Sequence, residues 1–419
     1  MIQWNVLLLT FLVFFSLRSG AQIFLHRLNI SFLRKRGDRI PEAFQEVVDQ
    51  QKFKKISAYT VESSEFGLLA SLLGQGFLLV LLLSGLLPWL VKGIGRLHWG
   101  TVTEGLLFFA TLAGLTHLFQ VPFDLYDTFV IEERYGFNTM NFRAWILDLA
   151  KSVLISALLG GLLLGVLLGL VVYGGSLWWL WAWVLLGFFQ LLLLWLFPVV
   201  IAPLFNKFEP LQDQQLEHRI EGLTGKVGLR LRGVFRMDAS KRSRHTNAYF
   251  TGIGKTKRIV LFDTLLGSHT EDEILAVLAH EISHWKKKHL FKQLLILEIL
   301  SLAGFYLVSR LLNWTLIYTT FGFQEAIPYV GLFLIECLAS PLGYFVQPLE
   351  SAISRWFEWE ADDYSLTLMG NPASICGALK RLASDNLSNL LPHPIYAWFY
   401  YSHPPLVDRI SRLQRTKTS

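Results

Sequence analysis

Seven stretches of this chain are apolar over about the 20 residues that a helix needs to cross a bilayer: 4–24, 67–91, 102–122, 152–173, 177–200, 290–312 and 327–348. A helix on the surface of a soluble domain keeps one polar face, so runs this long and continuous do not suit it. In hydrocarbon each backbone N–H and C=O must be satisfied within its own segment, so each run is expected to be a helix. Composition agrees: only 17% of the 419 residues are charged, against about a quarter in soluble domains. The first run has no basic n-region and only SGA, 19–21, as a cleavage candidate. It reads as a retained span. With only Cys337 and Cys376 present, neither a disulfide framework nor a cysteine zinc site is available.

The loops differ in charge. Arg27, Arg34, Lys35, Arg36, Arg39, Lys52, Lys54 and Lys55 lie between the first two runs, and 201–289 is richer still. The tail after the seventh run ends in Arg409, Arg412, Arg415 and Lys417, whereas 174–176 and 313–326 hold no Lys or Arg. More and less basic loops alternate, which by the positive-inside rule puts the N-terminus outside and the C-terminus in the cytosol. The pI of 9.2 is then a topology signal, and no nucleic-acid partner is expected, because the charge is spread over several loops. The expected fold is mainly α, a polytopic membrane protein of about seven helices with a cytosolic domain holding a small β-hairpin or sheet. The chain divides into spans one to five (1–200), a first cytosolic segment (201–289), spans six and seven (290–348) and a second cytosolic segment (349–419).

Chemistry concentrates in the cytosolic segments. AHEISHWKKKH, 279–289, follows ILAVL without Gly or Pro, and Thr270 with Glu271 and Glu273 makes a capped, acidic helix start. On that helix His280 and His284 share a face and can present imidazole nitrogens to one zinc ion, while Glu281 projects beside them toward a water. Chance alone yields such a pattern in roughly 2% of chains with this many His and acidic residues, so a third ligand is needed. SRWFEWEADDYS, 354–365, continues the seventh run as a helix. Glu358 and Asp362 lie one turn apart on it and Glu360 points away. Glu358 can bind the zinc and Asp362 can accept the spare N–H of a ligand histidine. The bland alternative is a solvated acidic face paired with Arg355.

NAYF, 247–250, and KRIVLF, 257–262, look like two strands around TGIGKT. That turn imitates the end of a phosphate loop, but Tyr249 stands where the loop's first Gly belongs, so nucleotide binding is rejected. An edge strand beside the zinc could hold an extended peptide through main-chain bonds, with Asn247 and Tyr249 as the substrate-binding candidates; the alternative is an ordinary hairpin packed on the domain.

HEISHW, FEWEAD, NAYFTG with KRIVLFDTLL, PLFNKFEPL and SHPPLVDRI together resemble the type 1 CAAX prenyl protease family of integral-membrane zinc metalloendopeptidases. The resemblance runs over most of the chain. It implies His280, His284 and Glu358 as ligands of one zinc ion, Glu281 as catalytic base, Asp362 behind a ligand histidine, and Asn247 and catalytic His403 near substrate. It also implies spans that enclose a water-filled chamber, with which the intramembrane Glu104, His117, Glu298 and Glu336 are compatible. The expected partners are membrane lipid and a peptide or protein substrate with a lipidated or otherwise apolar C-terminal region, and the oligomeric state stays open. Compact loops favour a bacterial inner membrane, with the endoplasmic reticulum as the eukaryotic alternative. Three other functions compete: a membrane quality-control zinc protease with no prenyl requirement, a non-catalytic membrane scaffold, and a transporter.

Overall fold

A computed structural model describes residues 2–36, 39–252 and 257–415; the turn at 253–256 and the last four residues lie outside them. Six helices come first: α1 (Val6–Arg36), α2 (Gln50–Leu83), α3 (Leu86–Gly95), α4 (Thr101–Tyr126), α5 (Phe142–Tyr173) and α6 (Trp178–Leu196). The run at 67–91 is not one span. Gly85, at φ +80°, ends the second span just after α2, and α3 turns off as a separate ten-residue helix. Only glycine takes that backbone region freely, so the break is local and steric. The same span begins earlier than its apolar residues do. Asp49 caps α2 by accepting from Lys52 N at 2.7 Å, and a polar first half extends the helix below the hydrocarbon, which hydropathy does not register.

The second half alternates soluble and membrane elements. A small domain holds β1 (Phe208–Pro210), α7 (Gln214–Lys226), β2 (Val234–Met237), β3 (Ala248–Thr251), β4 (Arg258–Phe262) and α8 (Glu271–Lys286). The sheet order is β1-β2-β4-β3, with β2 and β4 parallel and the other pairs antiparallel. The expected pair of strands is present as β3 and β4; β1 and β2 are additional, too short to show a period in the sequence. Ala248 and Phe250 of β3 join Ile259, Leu261, Leu278 and Ile282 in one core, while Tyr249 joins Met237 and Val260 on the other face, as strand alternation requires. Beyond come α9 (His289–Leu311), α10 (Pro328–Met369), α11 (Pro372–Asp385), α12 (Pro394–Tyr400) and α13 (Leu406–Arg415).

Among the described residues seven helices are long and apolar enough to cross a membrane. Their exposed sides are apolar: Leu154, Leu158, Leu162 and Val166 form an open stripe along α5, suited to lipid tails. Packing inside the bundle is sparse. Leu168 is the buried residue of α5 and His289 that of α9, whereas a helix in a solid bundle would bury a whole stripe. Helices buried this sparsely suit walls around a hollow interior. The 42 residues of α10 span about 63 Å at ~1.5 Å per residue, roughly twice the ~30 Å hydrocarbon layer. Its second half therefore reaches the small domain, carrying Glu358 there on one rigid rod.

Candidate active site

Thr270 and Glu273 set the start of α8. Thr270 Oγ1 accepts from Glu273 N at 3.3 Å, and Glu273 Oε2 accepts from Thr270 N at 2.8 Å, satisfying two of the helix's free N–H groups. Arg381 of α11 then holds Glu273, Nε to Oε2 at 2.9 Å. From that anchored end α8 packs along α10. Ala279 and Ser283 on one helix, and Ala361 and Ser365 on the other, are fully buried; small residues one turn apart let two backbones approach closely. The approach brings His280, His284 and Glu358 together.

Their free ends converge on one point. His280 Nε2 lies 3.1 Å from His284 Nε2 and 3.2 Å from Glu358 Oε2, while His284 Nε2 lies 3.3 Å from Glu358 Oε1. Zinc ligands at ~2.0–2.1 Å in a tetrahedral shell stand about 3.4 Å apart, so these spacings fit that ion. Glu358 Oε2 is buried without a hydrogen-bond partner; the Arg409 guanidinium stands 3.8 Å away, which leaves that oxygen free to take a metal ion. Behind these three side chains, Asp362 Oδ1 lies 2.9 Å from His280 Nδ1. The proton then sits on Nδ1 and the Nε2 lone pair faces the other donors.

Glu281, Asn247 and His403 occupy different places. The Glu281 carboxyl is half-buried among His280, His284, Glu358 and Arg409, and burial raises its pKa above the ordinary carboxylate range. His403 enters on the turn before α13, with Nε2 3.4 Å from Glu358 Oε1 and its side chain 61% exposed. Asn247 is exposed at the start of β3, where its Oδ1 accepts from Ala248 N at 2.8 Å. β3 is an edge strand packed on α8, with Phe250 and Trp285 rings 6.4 Å apart. The Tyr249 ring turns to the far face of the sheet, its hydroxyl 3.9 Å from Met237 Sδ, so only its backbone is on the α8 side. Arg355 does not pair with the acidic face; it donates to the carbonyls of Trp398 and Tyr401.

Two residues given no role by the sequence stand behind the site. Arg409 is buried and grips both oxygens of Asp362 at 2.8 and 2.6 Å; SHPPLVDRI contains it, six residues after His403, but a lone Arg carries no spacing signal. His289 is buried with Nδ1 2.9 Å from His284 Nδ1 and Nε2 2.9 Å from Glu360 Oε2. Its position five residues past His284 follows no helical period, because a turn intervenes. His245, likewise unassigned, stacks on Phe137 at 3.9 Å and meets Glu132 at 3.1 Å, a structural pin between the end of the third span and the small domain.

A hollow membrane bundle with an HExxH helix completed by a carboxylate from a second helix defines the class of integral-membrane metallopeptidases. Residues 29–207 match the CAAX prenyl protease N-terminal family, with five membrane helices, and residues 210–417 match peptidase family M48. The chain belongs to the CAAX prenyl protease branch of the M48 metallopeptidases. It is 36% identical to the CAAX prenyl protease 1 homolog of Arabidopsis thaliana over 379 residues, covering 88% of this chain and 89% of the relative. With CAAX prenyl protease 1 of Saccharomyces cerevisiae the identity is 35% over 403 residues, 90% and 88% of the two chains. The crystal structure of S. mikatae Ste24p superposes with a TM-score of 0.91 at 31% identity, covering 98% of this chain and all of that one.

Proposed function

We propose that the protein is a zinc-dependent endopeptidase that cuts near the C-terminus of prenylated peptides, with one zinc ion held by His280, His284 and Glu358. The observation that carries this is the convergence of three donors at 3.1 to 3.3 Å on a chain whose relatives are named for CAAX prenyl proteolysis. When bound, zinc supplies a Lewis acid that polarises the scissile carbonyl and acidifies the attacking water. Glu281 accepts the water proton and passes it to the leaving amine, a task for which a raised carboxyl pKa suits it. The β3 edge pairs with the extended peptide through backbone bonds, Asn247 adds an amide contact, and His403 donates to the carbonyl oxygen as it gains charge. A hollow bundle shelters the apolar tail, and the site opens to the cytosol.

Glu281→Gln tests the reading. The variant keeps near-stoichiometric zinc and loses hydrolysis of a farnesylated peptide, because it removes a base and leaves the ligands intact. Zinc loss or retained turnover in that variant defeats the assignment. Equal turnover of bare and farnesylated peptides defeats the substrate class and leaves a quality-control protease.

A further inference from the structure

The two histidines of HExxH have different supports. His280 leans on Asp362, a relationship the motif spacing foretells. His284 leans on His289, which lies beyond the end of α8 and reaches back. The turn that allows this is strained: Lys288, between α8 and α9, sits at φ +57° and ψ +36°, a left-handed conformation that disfavours any residue with a Cβ. Such strain persists where surroundings fix it. Here the surroundings are specific. The His289 ring is almost wholly buried, stacks on Phe357 with centroids 4.5 Å apart, and has both nitrogens engaged. Glu360, the acceptor at its far end, is fixed by Lys287 at 3.3 Å and Lys292 at 3.2 Å.

Proton bookkeeping sets the direction of the chain. Glu360 is ringed by two ammonium groups and accepts only, so His289 Nε2 carries the hydrogen. His289 Nδ1 is then a lone pair, and the bond to His284 requires the hydrogen on His284 Nδ1. That leaves the His284 Nε2 lone pair aimed at His280 Nε2 and Glu358. We infer that His289 is a positioning residue that sets the tautomer and ring angle of His284, with Glu360 orienting His289 in turn. The relay begins at the first residue of the sixth membrane helix, so the seating of α9 against α10 bears on one of the ligands. This rests on the zinc reading above and adds to it.

The test is zinc affinity of the full-length detergent-solubilised protein, measured against a chromophoric chelator, with visible absorption of the cobalt-loaded protein alongside. His289→Phe keeps the stack on Phe357 and removes the acceptor; its zinc Kd rises about 10–100-fold, as loss of a ligand's hydrogen-bond partner typically gives, and the cobalt bands shift. His289→Asn puts Oδ1 where Nδ1 stood, accepts from His284 again, and returns Kd to within about threefold of wild type. Glu360→Ala, one bond further out, raises Kd about threefold, short of the roughly tenfold expected nearer the ligand. Wild-type protein that takes up no zinc fails the zinc reading itself. Tight wild-type binding matched by His289→Phe, or His289→Asn no better than His289→Phe, overturns the relay alone. Should His289→Phe not fold, Glu360→Ala decides: a raised Kd with an unchanged metal-free Tm supports the relay, and an unchanged Kd overturns it.

Discussion

Arg409 and His280 compete for one carboxylate. Asp362 Oδ1 lies 2.6 Å from Arg409 Nη2 and 2.9 Å from His280 Nδ1, while Oδ2 takes Arg409 Nε at 2.8 Å. The guanidinium keeps Asp362 ionised inside the protein, and the ionised carboxylate keeps the His280 proton on Nδ1. Buried charge is tolerated here because each member has a partner. Removing either one strands the other.

Loss of Asp362 should therefore weaken metal binding without abolishing it. Asp362→Ala is expected to cost ~10–100-fold in zinc affinity, and Glu358→Ala considerably more, since it opens the coordination shell. Glu360→Ala should lie far below both, because Glu360 faces His289 and its lysines. Chelator competition on the three purified variants orders them, and Glu360→Ala losing the metal while Glu358→Ala keeps it would reverse the ligand assignment.

The metal-free protein should hold a proton where the ion goes. Burial opposes charge on His280, but the carboxylates of Asp362 and Glu358 beside its two nitrogens outweigh it and push the pKa up to about 9. A histidine raised above its unfolded value of about 6.5 stabilises the fold fully below that pH, and the contribution disappears as pH rises through 9. Zinc has to displace this proton, so its affinity should climb about tenfold per pH unit from about 7 up to 9 and then flatten. Isothermal titration in buffers of different ionisation enthalpy counts the protons released. Zinc uptake without proton release over that range contradicts the linkage.

Much of this arrangement was legible in sequence because it is periodic. His280 with His284, and Glu358 with Asp362, are i, i+4 pairs on helices whose identity the apolar pattern and the Thr270 cap make plain. The apolar runs announced the seven spans, though not their ends: the start of α2 rests on Asp49, and its break on one glycine. What stayed hidden depends on tertiary geometry. The His289 role depends on a left-handed Lys288, which no propensity favours, and the Arg409 role on a short helix folding back from the C-terminus. Likewise β1 and β2 hold three and four residues, too few for alternation to show.

Charge asymmetry predicts the orientation. The segment 201–289 should face the cytosol and the 174–176 loop the opposite side. Gln215, exposed on α7, and Ser176, exposed between α5 and α6, are sites for single cysteines once the buried Cys337 and Cys376 are replaced. In sealed membrane vesicles whose cytosolic face is outward, an impermeant thiol reagent should label position 215 and spare position 176. The opposite pattern would invert the topology.

Asn247 and His403 should fail differently. Asn247 stands at the start of β3, the edge strand, where the proposed reading has an extended peptide meet it before and during reaction alike. Its loss removes binding common to ground and transition states, so Asn247→Ala should raise KM more than it lowers kcat. His403 stands beside Glu358, and Ser402 Oγ lies 3.0 Å from its Nδ1. If the hydroxyl donates there, the ring hydrogen is kept on Nε2, the atom 3.4 Å from the Glu358 carboxylate and, on the proposed reading, the one that meets the carbonyl oxygen as it gains charge. A donor aimed at developing charge acts in the transition state, and removing one typically costs ~10²–10³ in kcat. With the side chain 61% exposed, water replaces part of what is lost, so His403→Ala should fall at the low end of that range with KM little changed. Ser402→Ala should lose a smaller part of the same kcat by freeing the ring to take either tautomer. Zinc content should stay at wild-type level in all three, since none removes a ligand or a ligand's hydrogen-bond acceptor. Steady-state kinetics with metal analysis on each sample is the measurement, and an unchanged kcat in His403→Ala would make that residue an ordinary histidine in a proline-rich turn.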